Sequence, residues 1–242
     1  MNIYQTLLTI LQNSPKKKPA LIALIDPDKK NKKTLQAQVD YIKKANRFCA
    51  VFVGGSLIMD SDYSSRIKMI KKSVDLPLIA FPSSSNQIDR FFDATLFLSL
   101  ISGRNPHYLI GEHVISAPII YDLKMEVIPV GYILLDGGNC TSVELVSGTR
   151  SLPMNNYDII IAHSLASQYL GHKFIYLECG SGATNSIDLD LLSTIKEHVE
   201  IPIIVGGGIK NEEDISNINT AGADFIVVGS MIEKKIKNES VN

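Results

Sequence analysis

The residues of this chain best suited to chemistry are a glutamate closing an apolar run, glycines at the exits of two others, and an aspartate just after a fourth. One arrangement recurs: Phe-Ile-Tyr-Leu-Glu-Cys-Gly-Ser-Gly at 174–182, Ile-Pro-Ile-Ile-Val-Gly-Gly-Gly-Ile at 201–209 and Phe-Ile-Val-Val-Gly-Ser at 225–230. Each reads as a buried parallel strand whose last residues free backbone N–H groups for an anion, with the positive N-terminal end of the next helix aimed at the same place. The chemistry such a cluster supports is the binding of a phosphate ester.

Two sites emerge from these ends. Gly206–Gly208 with Gly229 and Ser230 suit a phosphomonoester. Asp26, in Asp-Pro-Asp, and Ser56, after Gly54-Gly55, are oxygen donors suited to Mg²⁺, a hard cation that keeps several waters and binds through few protein groups plus ligand phosphates. Asp26 also has the look of a turn opener, and glycines after strands can serve as turns alone. Glu178, beside Tyr176, reads either as a structural carboxylate in a barrel mouth or as a general base whose pKa burial has shifted.

Such residues need a scaffold that gathers strand ends. Apolar, β-rich runs fall at Leu21–Ile25, Ala50–Val53, Leu78–Phe81, Thr95–Leu98, Val127–Leu135, Phe174–Glu178, Ile203–Val205 and Phe225–Val228. Helical patterns at Thr34–Arg47, Ser64–Ser73, Pro106–Ser116, Tyr157–Leu170, Leu189–Val199, Glu212–Ala221 and Met231–Lys237 alternate with them. Eight strands with this alternation predict an α/β fold, a (β/α)₈ TIM barrel, as one domain over 1–242, with the site at the strand C-termini. Between the third and fourth strands, Pro82 to Ala94 leave room for only a loop or single turn in place of a helix. Pro77 and Pro202 sit where strands begin, and Leu-Pro-Leu-Ile-Ala at 76–80 echoes Ile-Pro-Ile-Ile-Val at 201–205.

Composition excludes several classes. With 45% hydrophobic and 20% charged residues and a formal net charge of −1, the chain offers no field for a polyanion, so no nucleic-acid partner is expected. No apolar run approaches the ~20 residues of a membrane span, and Met1 to Asn13 lack a signal peptide's basic start, which predicts a soluble, cytoplasmic protein without stable membrane insertion. Cys49, Cys140 and Cys179 read as reduced thiols, and the five histidines fall into no metal-ligand spacing. The lysines at Lys16–Lys18 read as solvated surface; those at Lys29–Lys33 lie in the first strand-to-helix loop, where they could face an anionic substrate. No P-loop or dinucleotide fingerprint is present, and Lys124 and Lys173 precede their strands, at the wrong end for a Schiff base.

Ile-Asp-Pro-Asp-Lys (25–29), Phe-Val-Gly-Gly-Ser (52–56), Ile-Ser-Gly-Arg-Asn-Pro (101–106), Ile-Gly-Glu-His (110–113), Tyr-Leu-Glu-Cys-Gly-Ser-Gly-Ala (176–183) and Val-Gly-Gly-Gly-Ile (205–209) resemble the geranylgeranylglyceryl phosphate synthase family, including its bacterial heptaprenylglyceryl phosphate synthase branch. The resemblance implies Mg²⁺-dependent transfer of a prenyl group from a prenyl diphosphate to the C3 hydroxyl of sn-glycerol 1-phosphate, the first ether bond of an ether lipid. It implies that Asp26 and Ser56 hold Mg²⁺, and that Tyr176, Leu177, Glu178, Cys179, Gly180, Ser181, Gly182, Gly207, Gly208, Gly229 and Ser230 hold glycerol phosphate, with Glu178 and Tyr176 catalytic. It further implies a homo-oligomer, dimer or hexamer, and the long apolar donor implies at most transient membrane contact. The segment Gly137 to Pro153 resembles the long-loop branch and favours the geranylgeranyl donor. Two rival readings use the same glycines: another phosphate-binding barrel enzyme, such as a sugar-phosphate isomerase or FMN oxidoreductase, and a barrel that binds a phosphate metabolite without turnover.

Overall fold

The computed structural model describes residues 2–13, 19–58 and 61–239, so the lysines at 16–18 lie outside the described residues. Eight parallel strands close into a barrel in chain order: β1 (Ala20–Ile25), β2 (Phe48–Val53), β3 (Leu78–Ala80), β4 (Ala94–Leu100), β5 (Glu126–Leu134), β6 (Phe174–Glu178), β7 (Ile203–Gly206) and β8 (Phe225–Val228), which pairs back onto β1. The continuous Val, Ile and Leu content of these runs follows from burial on both faces. Alternate residues fill the interior, among them Ile22, Phe52, Ile79, Val130, Tyr132, Phe174, Tyr176, Phe225 and Val227. Their neighbours, such as Ile175, Leu177 and Cys179, face the helical shell.

The shell consists of α2 (Leu35–Ala45), α3 (Tyr63–Ser73), α4 (Glu112–Leu123), α6 (Tyr157–Tyr169), α7 (Leu189–His198), α8 (Glu212–Thr220) and α9 (Ser230–Glu239). Between β3 and β4 stands only the single 3₁₀ turn Ser85–Gln87, as the short spacing predicts. The fourth helix departs from its expected range: a π-helical segment, His107–Gly111, leads into α4, which runs seven residues past Ser116 to Leu123. Pro118 falls within it and does not end it.

Two further helices were not anticipated. The amphipathic start forms α1 (Ile3–Asn13), which seals the N-terminal end of the barrel: Leu7 is fully buried against the interior, and the Tyr4 ring meets Phe174 at 5.5 Å. Glu126, opening β5, accepts the N–H groups of Ile3 at 2.6 Å and Tyr4 at 2.8 Å, placing a carboxylate on the helix's positive end. After β5, α5 (Ser142–Ser147) is fixed by a capping box in which Thr141 and Glu144 bond each other's backbone N–H.

The repeated strand openings carry repeated polar anchors. Asp93 accepts Leu78 N–H and pairs with Lys71 at 2.6 Å; Asp224 accepts Ile203 N–H and pairs with Lys196 at 2.6 Å. The echo between 76–80 and 201–205 thus extends to the groups that pin β3 to β4 and β7 to β8.

Candidate active site

Extending the inward-facing rows past the strand ends brings Asp26, Ser56 and Glu178 to one rim. All three line a cavity of about 480 Å³, a size usual for small-molecule sites. Its wall is mostly apolar, with Leu24, Phe81, Leu98, Leu100, Tyr132 and Val143, and it runs beneath Glu112, His113 and Ser116 of α4. The serines of the 83–85 loop form a polar edge beside Asp26 and Ser56.

Glu178 is the most perturbed acid of the rim. It is only 7% exposed, and its Oε1 accepts the Gly180 N–H at 2.7 Å. Burial pushes its pKa up to about 7, although the Gly180 N–H and the Tyr176 hydroxyl pull the other way. The absence of a basic side chain among these influences leaves desolvation in control.

Tyr176 lies beneath this carboxylate rather than on the cavity wall. Its ring stacks between Phe81 and Tyr132, each centroid 5.2 Å away, and burial holds its hydroxyl well above the ordinary phenol range. The Tyr176 hydroxyl is fully buried beside the Glu178 carboxylate, its electrostatic partner there, without a hydrogen bond of good geometry. Strand alternation turns the Leu177 and Cys179 side chains into the barrel–helix layer, so these two could meet a ligand only through their backbone, while Tyr176 and Glu178 point inward.

The glycines form a second shelf beside Glu178. Gly207 and Gly208 adopt φ of +83° and +69°. A Cβ at Gly207 would stand 2.6 Å from Glu178 Oε1 and press on the Gly180 backbone, so the close approach of the two strand exits requires glycine. Next to them, Gly229 precedes α9, whose first residue is Ser230; the Gly229 carbonyl accepts Ile232 and Glu233 N–H, which leaves the first amides of the helix outside its own ladder. The β6 loop is latched above: Asn139 donates to Gly182 O at 2.9 Å and accepts Thr184 Oγ1 at 2.7 Å. Gly180 and Ser181 reach the cavity; Gly182, Gly207, Gly208, Gly229 and Ser230 border the shelf outside it.

Asp26 holds two roles at once. Its Oδ1 accepts Asp28 N–H at 3.1 Å, the turn expected of Asp-Pro, and its Oδ2 pairs with Lys30 at 2.9 Å. Within the Lys29–Lys33 run, Lys30 is the lysine lining the cavity. Ser56 is positioned by Ser83 Oγ, which donates to the carbonyls of both Gly55 and Ser56 at 3.1 Å. Among the described residues no three His, Cys, Asp or Glu side chains gather as a metal cluster. One carboxylate and one hydroxyl fit a hard cation whose remaining ligands are water and a bound diphosphate.

Sequence reasoning missed Phe81, Tyr132 and the α4 and α5 residues of the cavity, since only the fold brings them there. Thr141 was within reach, because Thr-Ser-Val-Glu at 141–144 is a capping-box signature.

The sequence profile of the PcrB family matches residues 14–241. The geranylgeranylglyceryl phosphate synthase of Flavobacterium johnsoniae is 42% identical over 234 residues, 96% of this chain and 93% of its own. That of Chitinophaga pinensis is 42% identical over 220 residues, 88% of this chain and 84% of its own. The crystal structure of (S)-3-O-geranylgeranylglyceryl phosphate synthase from Thermoplasma acidophilum, in complex with sn-glycerol-1-phosphate, superposes with a TM-score of 0.89 at 31% identity, covering 97% of this chain and 92% of that one.

Proposed function

The chain belongs to the PcrB family, and on that premise we propose that it joins the prenyl group of geranylgeranyl diphosphate to the C3 hydroxyl of sn-glycerol 1-phosphate. The observation that carries this reading is the position of Glu178, a buried carboxylate with a pKa of about 7 between a glycine shelf and an apolar groove. A sugar-phosphate isomerase would need the shelf but not the groove; a prenyl transfer needs both.

The phosphate of the acceptor rests on Gly207, Gly208, Gly229 and Ser230, where the positive end of α9 favours an anion. Gly180–Gly182 close over the glycerol, and its C3 hydroxyl faces Glu178. The prenyl chain fills the groove past Leu24, Phe81, Leu98 and Tyr132. As the C3 oxygen bonds to the allylic carbon, the bond from that carbon to the diphosphate oxygen breaks and the hydroxyl proton passes to Glu178. Gly180 N–H fixes the carboxylate's orientation, and the Tyr176 hydroxyl, kept protonated by its burial, donates toward it. Leu177 and Cys179 act through the packing of β6, holding these two in register.

Asp26 and Ser56 would hold Mg²⁺, and the groups present suit it. When bound, that ion supplies charge neutralisation to the diphosphate. Lys30, paired with Asp26, adds a second positive charge at the same edge.

The protein acts in this reading as one barrel domain over 1–242 in the cytoplasm, assembled as a homo-oligomer. No helix among the described residues is long and apolar enough to cross a membrane. The test is incubation with radiolabelled sn-glycerol 1-phosphate, Mg²⁺ and prenyl diphosphates from C15 to C35. A C20 ether product is expected; glycerol phosphate binding without product at any length would overturn the proposal.

A further inference from the structure

Among the described residues, β3 is the one strand followed by no α-helix, only by the turn Ser85–Gln87. The exits of β2 and β3, which carry Ser56 and the 83–85 serines, therefore lean on side chains for support. The side chain placed to give it is Gln87, which is only 1% exposed and does not itself reach the cavity wall.

Both ends of its carboxamide are engaged. Nε2 donates to the Gly55 carbonyl at 2.9 Å and to Ser83 Oγ at 2.7 Å, and Oε1 accepts the Ser83 N–H at 3.3 Å. A carbonyl can only accept and a backbone amide can only donate, so these partners fix which end of the amide is which. Ser83 Oγ, accepting from Gln87, turns its own hydrogen to the carbonyls of Gly55 and Ser56, which flank the Ser56 side chain in the chain. The turn is anchored in its own right: the Tyr63 hydroxyl of α3 donates to the Gln87 carbonyl at 3.0 Å, and Glu112 of α4 accepts the Ser85 N–H at 2.7 Å. Gly55 in turn packs on Asp26, where an added Cβ would stand 2.7 Å from Oδ1. One buried amide thus bears on Ser56 through two carbonyls and on Asp26 through Gly55.

We infer that Gln87 is a positioning residue for the cation edge: its carboxamide holds the β2 and β3 exits so that the Asp26 carboxylate and the Ser56 hydroxyl are set for Mg²⁺ and a diphosphate before either binds. This rests on the reading of Asp26 and Ser56 as the cation's ligands. Groups that orient metal ligands from behind govern affinity because the ion is held only as well as its donors are aimed. An uncharged amide does this without competing for either ion, whereas a carboxylate in its place would draw the cation inward and an ammonium would draw the diphosphate. The glycerol phosphate shelf, on β7 and β8, receives nothing from Gln87.

Gln87→Met keeps the length of the side chain and removes both of its hydrogen-bonding ends. Titration calorimetry of the full chain with preformed Mg²⁺–inorganic diphosphate should show Kd raised about 10- to 100-fold in this variant. The Kd for sn-glycerol 1-phosphate should stay within about twofold of wild type, as expected of a distant, independent site. Tyr63→Phe removes only the hydroxyl that holds the Gln87 carbonyl and should raise the Mg²⁺–diphosphate Kd about threefold; it decides the matter if Gln87→Met does not fold. Equal weakening of both ligands would make Gln87 a general structural support and overturn the inference. Unchanged Mg²⁺–diphosphate affinity would overturn it alone, leaving the proposed reaction standing. A wild-type protein that binds glycerol phosphate but no Mg²⁺–diphosphate would overturn the reading of Asp26 and Ser56, and the inference with it.

Discussion

The backbone N–H of Gly180 donates to Glu178 Oε1 across 2.7 Å, so the carboxylate that ends β6 is aimed by the turn immediately following it. A lysine or arginine in that place would hold the acid ionised and weakly basic; a single amide orients it while burial keeps its proton affinity high. The pair gives the rim a base matched to neutral pH.

That tuning has a stability consequence with a definite sign. A folded-state pKa of about 7 against an ordinary 4.5 means the folded chain binds the Glu178 proton more tightly than the unfolded chain does. Stability is therefore fullest below the unfolded value and declines as pH rises toward 7, by ~3 kcal/mol at most. Glu178→Gln should lower turnover by ~10²–10⁴ and raise the melting temperature at pH 8 relative to wild type, with little difference at pH 5. Calorimetry at the two pH values reads this; a variant destabilised equally at both would mean the carboxylate is structural.

The glycine shelf separates two substitutions that sequence treats alike. Gly207→Ala must force a side chain into positive φ and onto Glu178, so KM for glycerol phosphate should rise about 10- to 100-fold, equivalent to ~1–3 kcal/mol of strain. At Gly229 an added Cβ meets Leu24 at an ordinary 3.4 Å, and Gly229→Ala should change KM by no more than about threefold. Steady-state kinetics on both variants compares them directly.

Asp26 makes the metal reading accessible. EDTA should abolish turnover and Mg²⁺ restore it, and Asp26→Asn should raise the Mg²⁺ concentration for half-maximal rate at least about 10-fold, or ~1.4 kcal/mol. Calorimetric binding of glycerol phosphate should be unchanged in that variant, because its shelf lies on β7 and β8.

At the opposite end of the barrel, Glu126→Ala removes the acceptor for two N–H groups of α1. The expected cost is ~1–2 kcal/mol, a fall in melting temperature of roughly 3–6 °C for a chain of this size. Hydrogen exchange confined to residues 3–13 should accelerate, with kcat retained.

Much of this was legible in the chain because parallel strands buried on two faces leave uninterrupted apolar runs, and because strand exits that crowd an anion must be glycine. The missing crossover between β3 and β4 followed from counting residues, and Asp26, Ser56 and Glu178 from the rule that barrel chemistry sits at strand C-termini. Side-chain direction was less accessible: the motif alone does not say that strand parity turns the Leu177 and Cys179 side chains toward the helices. The groove needs Phe81, Tyr132 and His113 from three separate segments, and no local pattern announces a contact that only closure of the barrel creates. The full length of α4 escaped because its apolar residues show no single stripe.

The most direct test of the central claim is the single-turnover rate of ether formation, by rapid quench, as a function of pH with glycerol 1-phosphate, geranylgeranyl diphosphate and Mg²⁺. With Glu178 as the base, the rate rises through an apparent pKa near 7 and levels above it, and Glu178→Gln flattens the profile. A wild-type rate independent of pH across that range, or a Gln variant that keeps the rise, would contradict the assignment.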